Sequence, residues 1–583
     1  MTARELASLE SDSSVIYCLD PDSRISYCNA AWDRFATANN GMHLKRPAPR
    51  CGLKAALQAG IGCLAVLLLS AASFAQDGPV FRTGTRLVQV DVVVRDKKGS
   101  VLDLTKDDFK LYVCNKEAVA PRDPFGVHTA CHGKLEPIQV FHAPAEVLSQ
   151  TPTFGAAGLP PSTISNRFDS RGEPVRSATV VLFDQLNTSF DHKGYERKQV
   201  AKFLRGLSER DRVAIYALGR NLHVLQDFTE DPEKLVQTIT KLDSGFDLVQ
   251  LYPGDDSLSR ADESIPGPMA ATQSRVYGGL VDEITVGAVR NIVRHMSGVQ
   301  GRKNLIWLKE TPQVALLPEN SRKILSLLRG ANIALYPVMV RGMKSSGIFS
   351  MPTGSRFALP TPELRIQQAA RDLGVSTGGA GFTDAGDLRD AVARAEEDSA
   401  SVYTLGFYPS EAELDGRLHQ IAVVLSNSIV GRGRLEMHYR NEYLAARREP
   451  QDAIPTIADL FNSPLEATGI ALTAEVSPDR IDVTVTLSDI QLEHRGDRWI
   501  GSLRMSVADD RYLSSARPVI RVAQIDLSEE ELQTARTSGY VVHIDTTGIT
   551  KGATSIRIVV QDPSNGASGS LWVAVPQPAK TDR

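Results

Sequence analysis

Charge of one sign is missing from this chain. Its 583 residues carry a formal net charge of -4, and Lys and Arg are scattered along it. A nucleic-acid binder needs a basic stripe, because neutralising phosphates drives its affinity. Nucleic acid is therefore excluded as a partner. The signatures of common catalytic machinery are absent too. The eleven His residues are dispersed, with no His-Glu-x-x-His and no Gly-x-Ser-x-Gly. No P-loop or Gly-x-Gly-x-x-Gly occurs in the region that alternates strands and helices. Ser376-Thr377-Gly378-Gly379 is glycine-rich, but it reads as a turn entering a strand rather than a phosphate cradle. No nucleophile and base can be paired from spacing, so the expectation is a protein that is not an enzyme. A secreted hydrolase with a constellation hidden from spacing stays open as the lesser alternative.

Cysteine is also scarce, at six residues. Cys18, Cys28, Cys51 and Cys63 fall at the N-terminus, in or before an apolar segment. From Ala55 to Ala75 the chain is uncharged, with Lys45, Arg46, Arg50 and Lys54 before it and Ser73-Phe74-Ala75 at its end. Basic, apolar and small-x-small stretches in that order make a secretory signal peptide over 42–75, cut after Ala75. The alternative is an uncleaved membrane anchor over 55–75. Export leaves Cys114 and Cys131 as an even pair in an oxidising compartment, which reads as one disulfide. His128 and His132 lie nearby, but the spacing is no zinc signature. The expected location is secreted or periplasmic, or membrane-anchored with the bulk outside the cytoplasm.

What is present is ordinary globular composition, 42% hydrophobic and 23% charged, in a chain long enough for several domains. Val88, Val90, Val92 and Val94 share one face of a strand, and with 109–113 and 138–141 they suggest a small β domain over 85–143. Residues 146–176 are rich in Pro, Ser, Thr and Gly and read as a linker. Residues 177–445 alternate strands and helices, the pattern of a mostly parallel sheet covered on both faces. Ala178–Phe183 and Asn304–Leu308 are continuous apolar runs of the central-strand kind, and Val402–Tyr408 reads as the last strand of that core. Long loop-like stretches are expected at 246–275 and 341–360. Residues 455–580 hold short β-prone runs between turns, the spacing of a β-sandwich.

Two resemblances follow from particular residues. Residues 16–36, from Ile16-Tyr17-Cys18 through Asp20-Pro21-Asp22 to Asn29-Ala30-Ala31-Trp32, resemble the opening of a PAS sensor domain. Residues 1–41 are too short to close such a domain, so translation is expected to start at Met42. If the segment is a real cytoplasmic piece, the chain is a membrane-anchored sensory component instead. The second resemblance rests on Val181-Leu182-Phe183-Asp184-Gln185-Leu186-Asn187-Thr188, Asp211-Arg212-Val213-Ala214, Gly301-Arg302-Lys303-Asn304-Leu305-Ile306-Trp307-Leu308 and Tyr403-Thr404-Leu405-Gly406-Phe407-Tyr408. These resemble the bacterial von Willebrand factor A-related (acidobacterial-type) domain family.

That resemblance implies an α/β fold with a von Willebrand factor A-like (Rossmann-like), doubly wound, mostly parallel sheet, flanked by the N-terminal β unit and the C-terminal sandwich. It also implies a metal-ion-dependent adhesion site, Asp-x-Ser-x-Ser, holding Mg²⁺ or Mn²⁺ through hard oxygen ligands. Here Asp184 keeps the first position, Leu186 and Thr188 fill the serine positions, and Asn187 adds an oxygen. Leu186 cannot ligate. After the strand ending at Leu308 the expected Asp is replaced by Lys309-Glu310, and a cation beside Lys309 would be repelled unless that side chain points away. Asp184 could equally be a capping residue at the strand end. The expected function is a non-enzymatic adhesion or interaction protein that grips an unknown protein partner through its top-face loops.

Overall fold

A computed structural model describes residues 17–19, 25–28, 81–83, 87–114, 133–144, 163–167, 177–184, 186, 211–243, 268–299, 301–309, 318–339, 362–382, 387–410, 413–415, 417–426, 435–445, 454–477, 480–509, 519–545 and 553–574. The chain divides into two units, Met1–Pro79 and Val80–Arg583. In the first, Tyr17–Leu19 pairs antiparallel with Ile25–Cys28, with Tyr17 opposite Cys28. The expected helix start at 29–36 and the segment 42–75, with its cleavage point, lie outside the described residues. Among those residues no helix is long and apolar enough to cross a membrane.

The second unit is layered around four main hydrophobic clusters. One sheet has the order Leu222–Thr229, Asp211–Leu218, Ser177–Asp184, Arg302–Lys309, Ile333–Met339. Its neighbours are parallel except for the antiparallel edge strand 222–229. Ser177–Asp184 is buried at every position, as a strand covered on both faces must be. Val181 and Phe183 face a cluster with Ala391, Val392 and Ala395 of helix Asp387–Ala400. Val180 and Leu182 face the opposite cluster, with Val289 and Ile292 of helix Pro268–His295 and Ile324 of helix Pro318–Gly330.

The expected class of a doubly wound, mostly parallel α/β fold for this protein is overturned by the rest of the chain. Strands outnumber helices among the described residues, and five of the six sheets are antiparallel throughout. The physical reason is visible at Val402–Phe407. Its apolar run imitates a central parallel strand, yet it pairs antiparallel with Val88–Asp96 and with Val140–His142. It is buried on both faces because one face lines the core with Val90 and Val92, while Thr404 Oγ1 on the other donates to buried Asp91. A continuous hydrophobic run reports burial on two sides, not the direction of the neighbours.

The β unit expected over 85–143 is likewise half of a larger sandwich. Strand Phe109–Cys114 pairs with Arg417–Leu425, and Val88–Asp96 with Glu436–His438, so residues on both sides of the parallel sheet complete one core. The expected linker over 146–176 contains Thr163–Ser165, which pairs with Thr473–Glu475 of the C-terminal sandwich. Phe81–Thr83 pairs there as well, with Leu492–His494. The parallel sheet is thus inserted in one sandwich, and that sandwich between strands of another. The C-terminal core gathers Ile481, Val483, Met505, Ile558 and Val573 from both of its sheets.

Candidate functional site

The parallel strands end together. Asp184 lies opposite Leu218, Phe183 opposite Leu308 and Lys309 opposite Met339, so Asp184 and Lys309 sit side by side at the carboxyl edge of neighbouring strands. The strand order reverses between these two, the crevice position where open sheets place their ligands. Helix 268–295 supplies the third side. Its C-terminus joins strand 302–309 through a short link at the opposite edge, so its other end reaches this one, about 1.5 Å per residue away. The helix begins at Pro268, seven residues before the expected loop over 246–275 ends.

Pleating sends Asp184, Trp307 and Lys309 to the helix 268–295 side. The Trp307 indole Nε1 donates to Asp184 Oδ2 at 3.0 Å. The Lys309 ammonium lies 4.6 Å from the centroid of the same indole, within cation–π range. Asp184 and Lys309 are 2% and 3% exposed, and Lys309 Nζ has no hydrogen-bond acceptor among the described residues. Burial pulls the Lys309 ammonium below the usual lysine range, while the Asp184 and Asp282 carboxylates pull the other way. Leu186, at the position of the motif's first serine, donates its amide to the Leu218 carbonyl at 3.0 Å and packs on the core.

These residues do not fit a divalent cation. A hard ion wants several oxygens converging on it, and here one carboxylate oxygen accepts from an indole beside a buried ammonium. Among the described residues no group of three His, Cys, Asp or Glu could hold a metal. Asn187, Thr188 and Glu310 lie outside the described residues, so of the expected ligands only Asp184 is placed. Cys114 is buried at the end of its strand, and Cys131 lies outside the described residues.

The opposite edge holds a second cluster of buried charge. Asp398, fully buried, accepts from Arg95 Nη2 (3.0 Å) and from the Tyr336 hydroxyl (2.8 Å), and pairs with Arg394 Nε (3.1 Å). Arg302 donates to the Gly378 carbonyl (2.7 Å) and to Asn304 Oδ1 (3.3 Å). Asn304 donates to Thr179 and Ser399. The Ser376–Gly379 turn belongs here. Gly378 takes a φ of 85°, and a Cβ on Gly379 would fall 2.2 Å from the Leu335 carbonyl oxygen, so the glycines permit close backbone approach.

A third constellation ties the parallel sheet to the C-terminal sandwich. His295 Nε2 lies 2.9 Å from Asp227 Oδ1, and Nδ1 lies 2.6 Å from the Glu466 carbonyl oxygen. Tyr216 donates its hydroxyl to the same Asp227 oxygen at 2.8 Å. Burial pushes the Asp227 carboxyl up, but the His295, Tyr216 and Phe228 hydrogen bonds outweigh it and hold the group below the ordinary carboxylate range. Both ring nitrogens of His295 thus face acceptor oxygens.

No family model matches the chain, and no curated protein does. Solved structures with local likeness include an aerotolerance-related membrane protein from Bacteroides fragilis NCTC 9343, 11% identical, covering 38% of this chain and 98% of that one with a TM-score of 0.23. BatB from Bacteroides thetaiotaomicron is 10% identical over 38% of this chain and 97% of its own, with a TM-score of 0.21. The manganese-loaded TRAP protein of Plasmodium vivax is 10% identical over 48% of this chain and 96% of its own, with a TM-score of 0.21. No residue here takes a role from them.

Three contributors escaped the sequence reading: Asp282, Trp307 and Asp398. Trp307 reads as one more apolar residue of a buried strand, and only its pleat partner reveals the indole donor. Asp398 sits beside Glu396-Glu397, a pair that suggests a solvated helix face. Its one legible signal is spacing, since it shares a face with Ala391 and Ala395 at helical intervals.

Proposed function

We propose that this chain is an exported, non-enzymatic interaction protein that grips a protein partner at the carboxyl edge of its parallel sheet. The carrying observation is the asymmetry of that sheet. One edge is closed by hydrogen-bonded charge, while at the other the segments 185–210, 310–317 and 340–361 leave the strands and 244–267 enters the long helix. Long connections on a rigid sheet are where binding residues concentrate. The residues resembling the von Willebrand factor A-related family lie partly at this same edge, which supports an adhesion-type role. Export carries with it the Cys114–Cys131 disulfide, which would close residues 115–130 into a loop.

Site-specific photo-crosslinking tests the reading. A crosslinking residue is placed at Asp255, Gln313 or Ser350, or at the control positions Ser297 and Ala331 on the opposite edge, and the protein is exposed to the producing cell's envelope fraction. One discrete adduct from the first three positions and none from the controls is the expected result. Adducts from the controls alone, or from no position, overturn the assignment of the binding edge. N-terminal sequencing of the exported chain should begin at Gln76; an intact N-terminus would favour the anchored alternative.

A further inference from the structure

We propose that the Lys309 ammonium is the resident cation of the carboxyl-edge site, held on the Trp307 ring beside Asp184, and that it makes this edge independent of Mg²⁺ and Mn²⁺. The inference rests on the same edge as the functional reading, but its test requires no partner.

Four observations carry it. First, an ammonium 3% exposed with no acceptor is costly to bury, so something other than a hydrogen bond must hold it there. Second, Trp307 serves both charges, giving its N–H to Asp184 and its ring face to Lys309. The indole thereby orders an anion and a cation at fixed separation, without direct contact between them. Third, both carboxylates act on the ammonium through space, one from the strand end and one from the helix. Fourth, the backbone turn after Asp184 is tied to Leu218 and its Leu186 side chain is committed to the core. A tethered monovalent cation needs fewer oxygens than Mg²⁺, and it cannot dissociate.

If Lys309 occupies the place of an ion, shortening it should let an ion in. Lys309→Ser removes the ammonium and its stem from beside Asp184; Lys309→Asn does the same and adds an amide oxygen. Calorimetric titration of the full chain with MnCl₂ is expected to give no heat for the wild type, and its melting temperature should be equal in EDTA and in millimolar Mn²⁺. Lys309→Ser should melt lower in EDTA, recover in Mn²⁺, and bind Mn²⁺ saturably. The double variant Lys309→Ser with Asp184→Asn should lose that binding. Asp184-dependent binding of Mn²⁺ by the wild type overturns the proposal. So does a folded Lys309→Ser or Lys309→Asn that ignores the cation. Failure of both variants to fold even in Mn²⁺ also overturns it, because an ion in Lys309's place would rescue them. Loss of the partner adduct with these outcomes intact would sink the functional reading alone; a cation-dependent wild type that still forms the adduct would sink the Lys309 proposal alone.

Discussion

At the amino edge of the parallel sheet, Arg302, Asn304, Tyr336, Asp398 and Arg95 donate and accept in a connected chain of side chains. At the carboxyl edge of the same strands, Lys309 is buried with no acceptor, and its neighbour Asp184 takes a hydrogen bond from an indole. The strands, their register and their apolar faces are common to both edges. What differs is the central charge: Asp398 accepts from Arg95 and Tyr336 and pairs with Arg394, while Lys309 has no acceptor among the described residues. Unmatched buried charge persists where something besides stability maintains it. The amino edge is anchored to the neighbouring sandwich through Arg95, and the carboxyl edge is the face proposed above to bind.

Substitutions can break this contrast. The largest effect is expected at the anchor. Asp398→Ala leaves the Tyr336 hydroxyl without its acceptor and Arg95 with the half-exposed Glu397 as its remaining carboxylate, and urea denaturation should show a loss of about 3 kcal/mol, the low end for breaking a buried ion pair from one side. Mn²⁺ should not recover it, in contrast to Lys309→Ser. A stability loss at Asp398 below that found for Lys309→Ser would mean the two edges are not different in kind.

Next in size, Cys131→Ser removes the proposed disulfide from the sandwich that receives the parallel sheet. About 3 kcal/mol should be lost for a loop of this length, in non-reducing conditions only. No difference between the variant and the wild type would show that the pair is not formed.

A smaller effect is expected at the carboxyl edge itself. Trp307→Phe keeps the ring but deletes the N–H that serves Asp184, costing about 1–2 kcal/mol for a buried acceptor left without its donor. A Trp307→Phe variant as stable as the wild type would remove the indole from the account of Lys309.

The smallest prediction concerns the half-exposed Asp227. Its folded-state carboxyl is held below its ordinary value of 3.8, so its contribution is complete above that range and is lost as pH falls through the folded value. The melting-temperature difference between wild type and Asp227→Asn should be constant from pH 5 to 7, taken as about one unit clear of the titration, and should vanish on further acidification. A difference that instead grew on acidification would mean the His295 clasp does not depend on the Asp227 charge.

Much of the secondary structure was legible before any fold was known. The strand at 177–184, the helix opening at Pro362 and the C-terminal strands all carry their periodicity or their caps in the residues themselves. Which strand pairs with which was not legible. Residues 402–407 read as part of the parallel sheet but close a sandwich begun about 300 residues earlier. Residues 163–165 read as linker but add a strand to the C-terminal sheet. Pairing across such distances depends on which apolar faces meet once the inserted parallel sheet has folded, and no local pattern encodes that.

The site divides along the same line. The sequence by itself determined that one serine position of the expected metal site, Leu186, has no oxygen, and that Lys309 stands where an acidic ligand was expected, while Asp184, Asn187 and Thr188 stayed as candidate ligands. It also determined the absence of a basic stripe and of recognisable catalytic motifs. Only the tertiary structure decided where the Lys309 ammonium goes: inward, onto the Trp307 ring and within the field of Asp184 and of Asp282 on a separate helix. A side chain's charge is a local property, but the partners that make its burial tolerable come from elements distant in the chain, and only packing brings them to it.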